Sequence, residues 1–348
     1  MSSADSFDTE RFSRQFRYQP LGAEGQAKLA AAHVVVVGCG ALGSVSAMAL
    51  ARAGVGRLTL IDRDVPEWSN LPRQMLFTEQ DVRAGLPKAV VAAGRLQEID
   101  RQLQVHGEVA DLTAATIGSL CATADLIVDG TDNFETRFLI NDFACREGVP
   151  WIYGGVIGAE GRVMAVVPGV TACLRCLIPE PPAPGSLPTC DTAGVIGPAG
   201  LVFGGVQAAE AIKLLVRTDQ PPPSQLLACD LWESNWRTID LSPLAAAGCG
   251  SCRGGDHPWL AGSGGTEATV LCGQDAVQFR AVAGQLVDLE DLAMRLGEVG
   301  PVTVNRWLLR AEVEPGITLS VFADGRLIVT GTRELARGRS IAARYVGM

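Results

Sequence analysis

Apolar residues in the first half of the chain come in short runs bounded by turn-forming residues. These runs predict strands at 34–37, 58–62, 103–108, 126–129, 151–154 and 163–167. Stretches with helical periodicity predict helices at 44–53, 88–99 and 137–147 between the earlier runs. Repeated β–α alternation implies a parallel, doubly wound α/β sheet. An amphipathic helix over 12–29 precedes the sheet, and a long, nearly uncharged helix follows Pro198 as far as Val216, closed by Pro221-Pro222-Pro223. Residues 179–188 are proline-rich and read as a surface crossing with Cys190 at its end. A glycine-rich linker at 254–267 separates a domain at 1–253 from a small α+β appendage at 268–348. The appendage reads as strand, helix, a strand hairpin turned at Ala323-Asp324-Gly325, and a closing helix.

The first strand runs into Gly38-Cys39-Gly40-Ala41-Leu42-Gly43, and Asp62 closes the second. Backbone N–H groups at a helix N-terminus hold phosphate, and a carboxylate at the next strand end can hold a ribose hydroxyl. The turn therefore predicts a nucleotide site, with dehydrogenases, flavoenzymes and ATP users all compatible with it.

Composition narrows the choice. A net charge of −9 argues against nucleic acid as a partner. The N-terminus shows no export pattern, which predicts a cytoplasmic protein. Residues 29–51 lack charge over a membrane-spanning length, yet their glycine turn and β-branched start read as buried strand, turn and helix, so no membrane partner is expected. Ten cysteines without export signals point to metal or catalysis rather than disulfides.

Only three of the 29 basic residues are lysines, Lys28, Lys88 and Lys213, so Lys88 after a proline turn stands out. Arg73 and Lys88 follow the acidic strand end on segments able to fold over a nucleotide. A triphosphate benefits from such cations and a metal, whereas a pair of solvated surface cations is the plain alternative. Asp129-Gly130-Thr131-Asp132-Asn133 emerges at the C-terminal edge of the sheet. There Asp132 either holds Mg²⁺ or caps the next helix. Cys173-Leu174-Arg175-Cys176 and Cys249-Gly250-Ser251-Cys252 supply four thiolates, enough for a closed tetrahedral zinc site. Cys190 has no sequence partner. Cysteines 39, 121, 145, 229 and 272 read as small apolar fillers. His33, His106 and His257 belong to no motif, which leaves a Cys–His or Ser–His–Asp hydrolase unsupported.

Taken together, these segments resemble the ThiF/MoeB/HesA branch of the ubiquitin-activating-enzyme superfamily. The matching stretches are Arg11–Gln15, the glycine turn, Asp62-Arg63-Asp64, 69–74, Lys88, Thr131-Asp132-Asn133, both cysteine pairs and 189–194, in the family's order. The chain looks most like the thiamin-pathway form. The resemblance implies a homodimeric adenylyltransferase using ATP, Mg²⁺ and Zn²⁺. It would act on the C-terminal Gly-Gly carboxylate of a ubiquitin-like sulfur-carrier protein, with a separate protein as sulfur donor. It further implies that Gly38, Gly40, Ala41, Gly43, Asp62, Asn70, Arg73 and Lys88 bind the nucleotide. Asp132 would bind Mg²⁺, Arg14 would reach across the dimer, and Cys190 would serve sulfur transfer or a covalent link. Two letters depart from the family pattern: Ala41 replaces the usual second glycine of the turn, and Pro72 replaces the usual glutamine before Arg73. A molybdopterin-synthase carrier, an NAD-dependent oxidoreductase and a non-catalytic scaffold are the competing readings.

Overall fold

The computed structural model describes residues 10–182, 193–217, 219–262, 268–271, 275–279 and 287–346. Cys190 and Cys272 lie outside the described residues. The chain divides into two compact units, Met1–Gly264 and Gly265–Met348.

The first unit opens with α1 (Ser13–Phe16) and α2 (Gly22–Ala31), where the periodicity had predicted a single helix over 12–29. Pro20 lacks an N–H for a continuous ladder, and Gly22 takes φ +59°, so the chain turns between the two pieces. The units β1 (His33–Val37), α3 (Gly43–Ala53), β2 (Arg57–Ile61), α4 (Lys88–Ile99) and β3 (Gln104–Glu108) follow. After them come β4 (Leu126–Asp129), α5 (Phe134–Glu147) and β5 (Trp151–Ile157). The sheet order is β3-β2-β1-β4-β5, all parallel, with β1 at the strand-order reversal.

The parallel pattern then ends. β6 (Glu160–Val166) pairs antiparallel with β5 through a turn at Gly158-Ala159, too short for a crossover helix. Antiparallel β7 (Gln225–Asp230) and β8 (Asn235–Asp240) extend the sheet beyond what the apolar runs predicted. Between β6 and β7 in sequence, α6 (Gly197–Val216) packs on α2, α3 and strands β4 to β6.

All five residues of β1 are buried, as a central parallel strand requires. Val34 and Val36 join one core layer with Leu50 and Leu96, while Val35 and Val37 join the other with Phe138 and Ile140. Residues 29–51 are thus the end of a helix, a core strand, a turn and a helix. Among the described residues α6 is the one helix long and apolar enough to cross a membrane, with 39% of its apolar window buried in the fold.

The second unit is a six-stranded sheet in the order β11 (Val302–Val304), β12 (Leu308–Glu314), β13 (Ile317–Phe322), β14 (Leu327–Thr330), β10 (Ala276–Phe279), β9 (Ala268–Leu271). Helices α7 (Leu289–Gly297) and α8 (Leu335–Tyr345) contribute Leu292 and Ile341 to its core. Gly325, at φ +87°, turns the β13–β14 hairpin, as the sequence indicates.

Candidate active site and metal centre

The glycine turn sits between β1 and α3 at the C-terminal edge of the sheet, and its three glycines are not equivalent. Gly38 takes φ +87°, and a methyl there would lie 2.7 Å from the Gly130 carbonyl oxygen. A methyl on Gly43 would overlap the Gly38 carbonyl oxygen. At Gly40 the nearest atom to such a methyl is the Gly130 oxygen at 3.5 Å, an ordinary contact. The outer glycines are therefore demanded by the fold, while Gly40 leaves a bare backbone for a ligand to approach. We expect Gly43→Ala to abolish soluble folded protein. Gly40→Ala should keep the melting temperature within a few degrees of wild type and weaken nucleotide binding at least about tenfold, read by calorimetry. Equal behaviour of the two variants would contradict this division of roles. The methyl of Ala41 also finds its reason here. A Cβ on Gly200 of α6 would come within 3.3 Å of it, so the extra methyl faces a position on α6 that carries no side chain.

Charge gathers behind the turn. Asp62 Oδ2 accepts from the Cys39 N–H at 2.6 Å and Oδ1 from the Asp64 N–H at 2.7 Å. Burial pushes the Asp62 carboxyl up from its ordinary value, against the pull of Lys88. Lys88 is itself buried, with Nζ 3.6 Å from Asp64 Oδ2. Burial opposes its charge, but Asp64, Asp62, Asp132 and Glu67 more than offset that, and its pKa stands above the usual lysine value. Lys88 is thus not a solvated surface cation; it is a buried charge at the first position of α4. Arg73 donates from Nη1 to the Ser69 carbonyl at 2.6 Å, and Asn70 Oδ1 accepts from the Glu67 N–H at 3.1 Å, which closes the short turn Trp68–Asn70.

Asp132 is exposed, and Asn133 caps α5 by accepting from the Thr136 N–H at 2.9 Å. The capping role weighed for Asp132 therefore belongs to its neighbour, whose Nδ2 also donates to Asp132 Oδ1 at 3.5 Å. Asp129 points inward and pairs with Arg137 Nε at 3.0 Å, while Arg137 Nη2 also donates to the carbonyls of Thr131 and Gly154.

Arg14 lies elsewhere. Helix α1 is pinned by Arg11, which donates to the Ile99 carbonyl at 2.7 Å, and by Gln15, which donates to the Ala53 carbonyl at 3.2 Å. Those carbonyls end α4 and α3, the helices whose first turns carry Lys88 and Gly43. The 11 residues of α3 span about 16 Å at 1.5 Å per residue, so Arg14 sits at the opposite edge of the sheet from its own glycine turn.

The two cysteine knuckles meet. Sγ separations are 3.7 Å for Cys173–Cys176, 3.5 Å for Cys173–Cys249, 3.6 Å for Cys176–Cys252 and 3.7 Å for Cys249–Cys252. Four sulfurs at about 2.3 Å from a tetrahedral zinc stand about 3.8 Å apart, so the donor set and its spacing fit Zn²⁺. The surrounding groups are polar and engaged. Asn141 Oδ1 accepts from the Leu174 N–H at 2.8 Å, Ser251 Oγ donates to Asp142 Oδ1 at 3.0 Å, and the Trp259 N–H donates to Asp142 Oδ2 at 3.1 Å. Helix α5 thus holds both knuckles, and part of the segment expected as linker, Asp256 and Trp259 included, packs here. The Cys145 thiol, expected as an apolar filler, hydrogen-bonds Cys173 and with burial pushes that thiol up.

Residues 12–251 match the ThiF family. The chain belongs to the ThiF family. It is 42% identical over 340 residues to the Sulfur carrier protein ThiS adenylyltransferase of Bacillus subtilis (strain 168), covering 97% of this chain and all of that protein. It is 40% identical over 259 residues to the Sulfur carrier protein adenylyltransferase of Thermus thermophilus, covering 72% of this chain and 92% of that one. Among solved structures, E. coli MccB with AMPCPP and MccA superposes with a TM-score of 0.59 at 26% identity, covering 67% of this chain and 72% of that chain.

In this ThiF chain the structure gathers the glycine turn, Asp62, Lys88 and Asp132 at one sheet edge and sets Arg14 apart. Sequence reasoning missed Arg137, Asn141 and Asp142. Their signal is a charged or amide residue flanking (Arg137) or interrupting (Asn141, Asp142) the apolar run Phe138–Ala144 of α5, which a core tolerates only when paired.

Proposed function

We propose that this ThiF-family chain adenylates the C-terminal Gly-Gly carboxylate of a ubiquitin-like sulfur-carrier protein, preparing it for thiocarboxylation in thiamin thiazole biosynthesis in the cytoplasm. The observation that carries this is the buried, charged Lys88 beside a glycine turn left open at Gly40, with the exposed Asp132 carboxylate on the same edge. A pyrophosphate cofactor such as NAD needs no such cation, whereas a triphosphate with its metal does.

The turn's N–H groups and Asp62 seat phosphate and ribose, while Lys88 and Arg73 neutralise the phosphates. Asp132 would hold Mg²⁺, which adds positive charge at the phosphoryl oxygens when bound. The attacking carboxylate is already ionised at neutral pH, so no general base is required and alignment does most of the work. Attack at the α-phosphorus forms the acyl–adenylate bond and releases pyrophosphate. The scarcity of histidine agrees with this chemistry. The cysteine tetrad would hold Zn²⁺ as a clamp outside the reaction. Cys190 would act later, in sulfur transfer from a separate donor protein.

A homodimer is supported by two features. Arg14 lies at the opposite edge of the sheet from its own glycine turn, so the role carried over for it would be served at another copy's site. Helix α6 also leaves Leu201 42% exposed, with Ile196 and Met75 uncovered in the same unit.

Incubation with ATP, Mg²⁺ and candidate carriers ending in Gly-Gly tests the reading. Intact mass should show an AMP adduct on the thiamin-thiazole carrier and not on a molybdopterin-synthase carrier. An adduct on the latter alone would reassign the substrate, and tight NADH binding with no adduct on any carrier would refute the function.

A further inference from the structure

We infer that Gln74 is a nucleotide contact residue, its carboxamide reading the ribose–α-phosphate portion of ATP across Gly40; this rests on the adenylyltransferase reading above. Three observations converge on it. Gln74 is 5% exposed, and its Oε1 is buried with no hydrogen-bond partner among the described residues. Its Nε2 lies 4.0 Å from where a Cβ on Gly40 would stand, so the carboxamide faces the one glycine whose missing side chain the fold does not require. The other polar side chains of the same loop are engaged internally: Arg73 with the Ser69 carbonyl, and Asn70 with the Glu67 N–H. Gln74 is the loop's uncommitted polar group, held by its own backbone N–H to the Asn70 carbonyl at 2.9 Å.

A buried amide oxygen without a partner is destabilising, and such groups concentrate where a ligand completes them. Phosphate oxygens at neutral pH offer no proton, so the orphaned oxygen calls for an O–H or N–H on the ligand, while the amide N–H₂ suits a phosphoryl oxygen. The neighbouring Cys39 N–H is bonded to Asp62, the carboxylate placed to hold ribose, which puts Gly40 at the junction of ribose and α-phosphate. A ribose hydroxyl and an α-phosphoryl oxygen together match the two ends of one carboxamide.

The test uses the full chain with Gln74→Met, an unbranched side chain of similar length, and Gln74→Glu, which keeps an acceptor but sets a charge against phosphate. Affinities for ATP and AMP are measured by calorimetry without any carrier, alongside the ligand-free melting temperature. We expect Gln74→Met to weaken ATP and AMP by the same factor, about 3- to 10-fold, as for loss of one hydrogen-bonding group. Gln74→Glu should weaken both further. The ligand-free Gln74→Met protein should melt at or above the wild-type temperature, because the substitution removes an unsatisfied buried group; a structural glutamine would lower it. A lowered melting temperature with unchanged affinities, or affinities unchanged in both variants, would overturn the role. Wild-type protein that binds neither nucleotide would remove the adenylyltransferase reading and this inference together, whereas wild-type binding matched by both variants removes Gln74 alone.

Discussion

Lys88→Ala should lower carrier adenylation about 100- to 1,000-fold, the loss typical of removing one fixed donor from developing charge. The measurement is ATP–pyrophosphate exchange dependent on carrier, with unaltered exchange removing Lys88 from the site. The same substitution has a pH signature. Asp62 sits above its ordinary value because it is buried, and Lys88 is the neighbour that pulls it back down. A carboxyl whose folded pKa is raised gives stability that is full below its unfolded pKa and lost as pH rises through the folded one. Removing Lys88 raises the folded value further and takes away the cation that Asp62 and Asp64 share, leaving Arg63 beside Asp64. The variant's deficit in melting temperature relative to wild type should therefore widen as pH climbs from about 4 toward neutrality. Arg14→Ala should be comparably inactive for a different reason, since Arg14 would serve the partner's site. Mixing the two inactive variants with subunit exchange produces dimers in which one of the two sites has both Lys88 and Arg14. Half the dimers are mixed and half their sites are whole, so activity should recover to about a quarter of wild type. No recovery on exchange would place Arg14 outside the partner's site.

What the sequence shows and hides here has physical causes. The glycine turn, Asp62 and the helix beginning at Lys88 are local signals, each set by residues a few positions apart, and Lys88–Ile99 is helical over the predicted bounds. The cysteine knuckles are legible because C-x-x-C spacing has so few structural uses. The antiparallel half of the sheet is harder to see. β8, Asn235–Asp240, is exposed at almost every position and lacks the alternation that marks a half-buried strand. Contacts made by folding are invisible in principle: Ala41 is explained only by Gly200, 159 positions on, and Arg137 only by the inward turn of Asp129 and the nearby carbonyls. Gln74 falls in the matching stretch 69–74, but no role for it is legible until its burial beside Gly40 is known.

Removing the metal should have the largest effect on stability. Cys173 and Cys249 are 76 positions apart, and both knuckles approach one helix, so zinc held there would close a long loop rather than a local ribbon. Closing a loop of that size removes about 4 kcal/mol of chain entropy from the unfolded state. Structural zinc sites in small peptides contribute about 10–16 kcal/mol of apparent binding free energy, more than the whole stability of many domains. Cys176→Ser should therefore reduce bound zinc from about one per chain to near zero. Hydrogen exchange should rise sharply over 249–262, where Ser251 and Trp259 lean on Asp142, while β1 and β4 in the core stay protected. Asp142→Asn separates metal binding from the hydrogen bonds around it. It keeps all four sulfurs but weakens the groups that orient them, so zinc should remain bound and leave to a competing chelator about 10- to 100-fold more readily. Removal of zinc with unchanged melting temperature and unchanged exchange would show that the knuckles are held by the packing of Phe138 and Trp259 instead, and would deny the metal its role as the clamp.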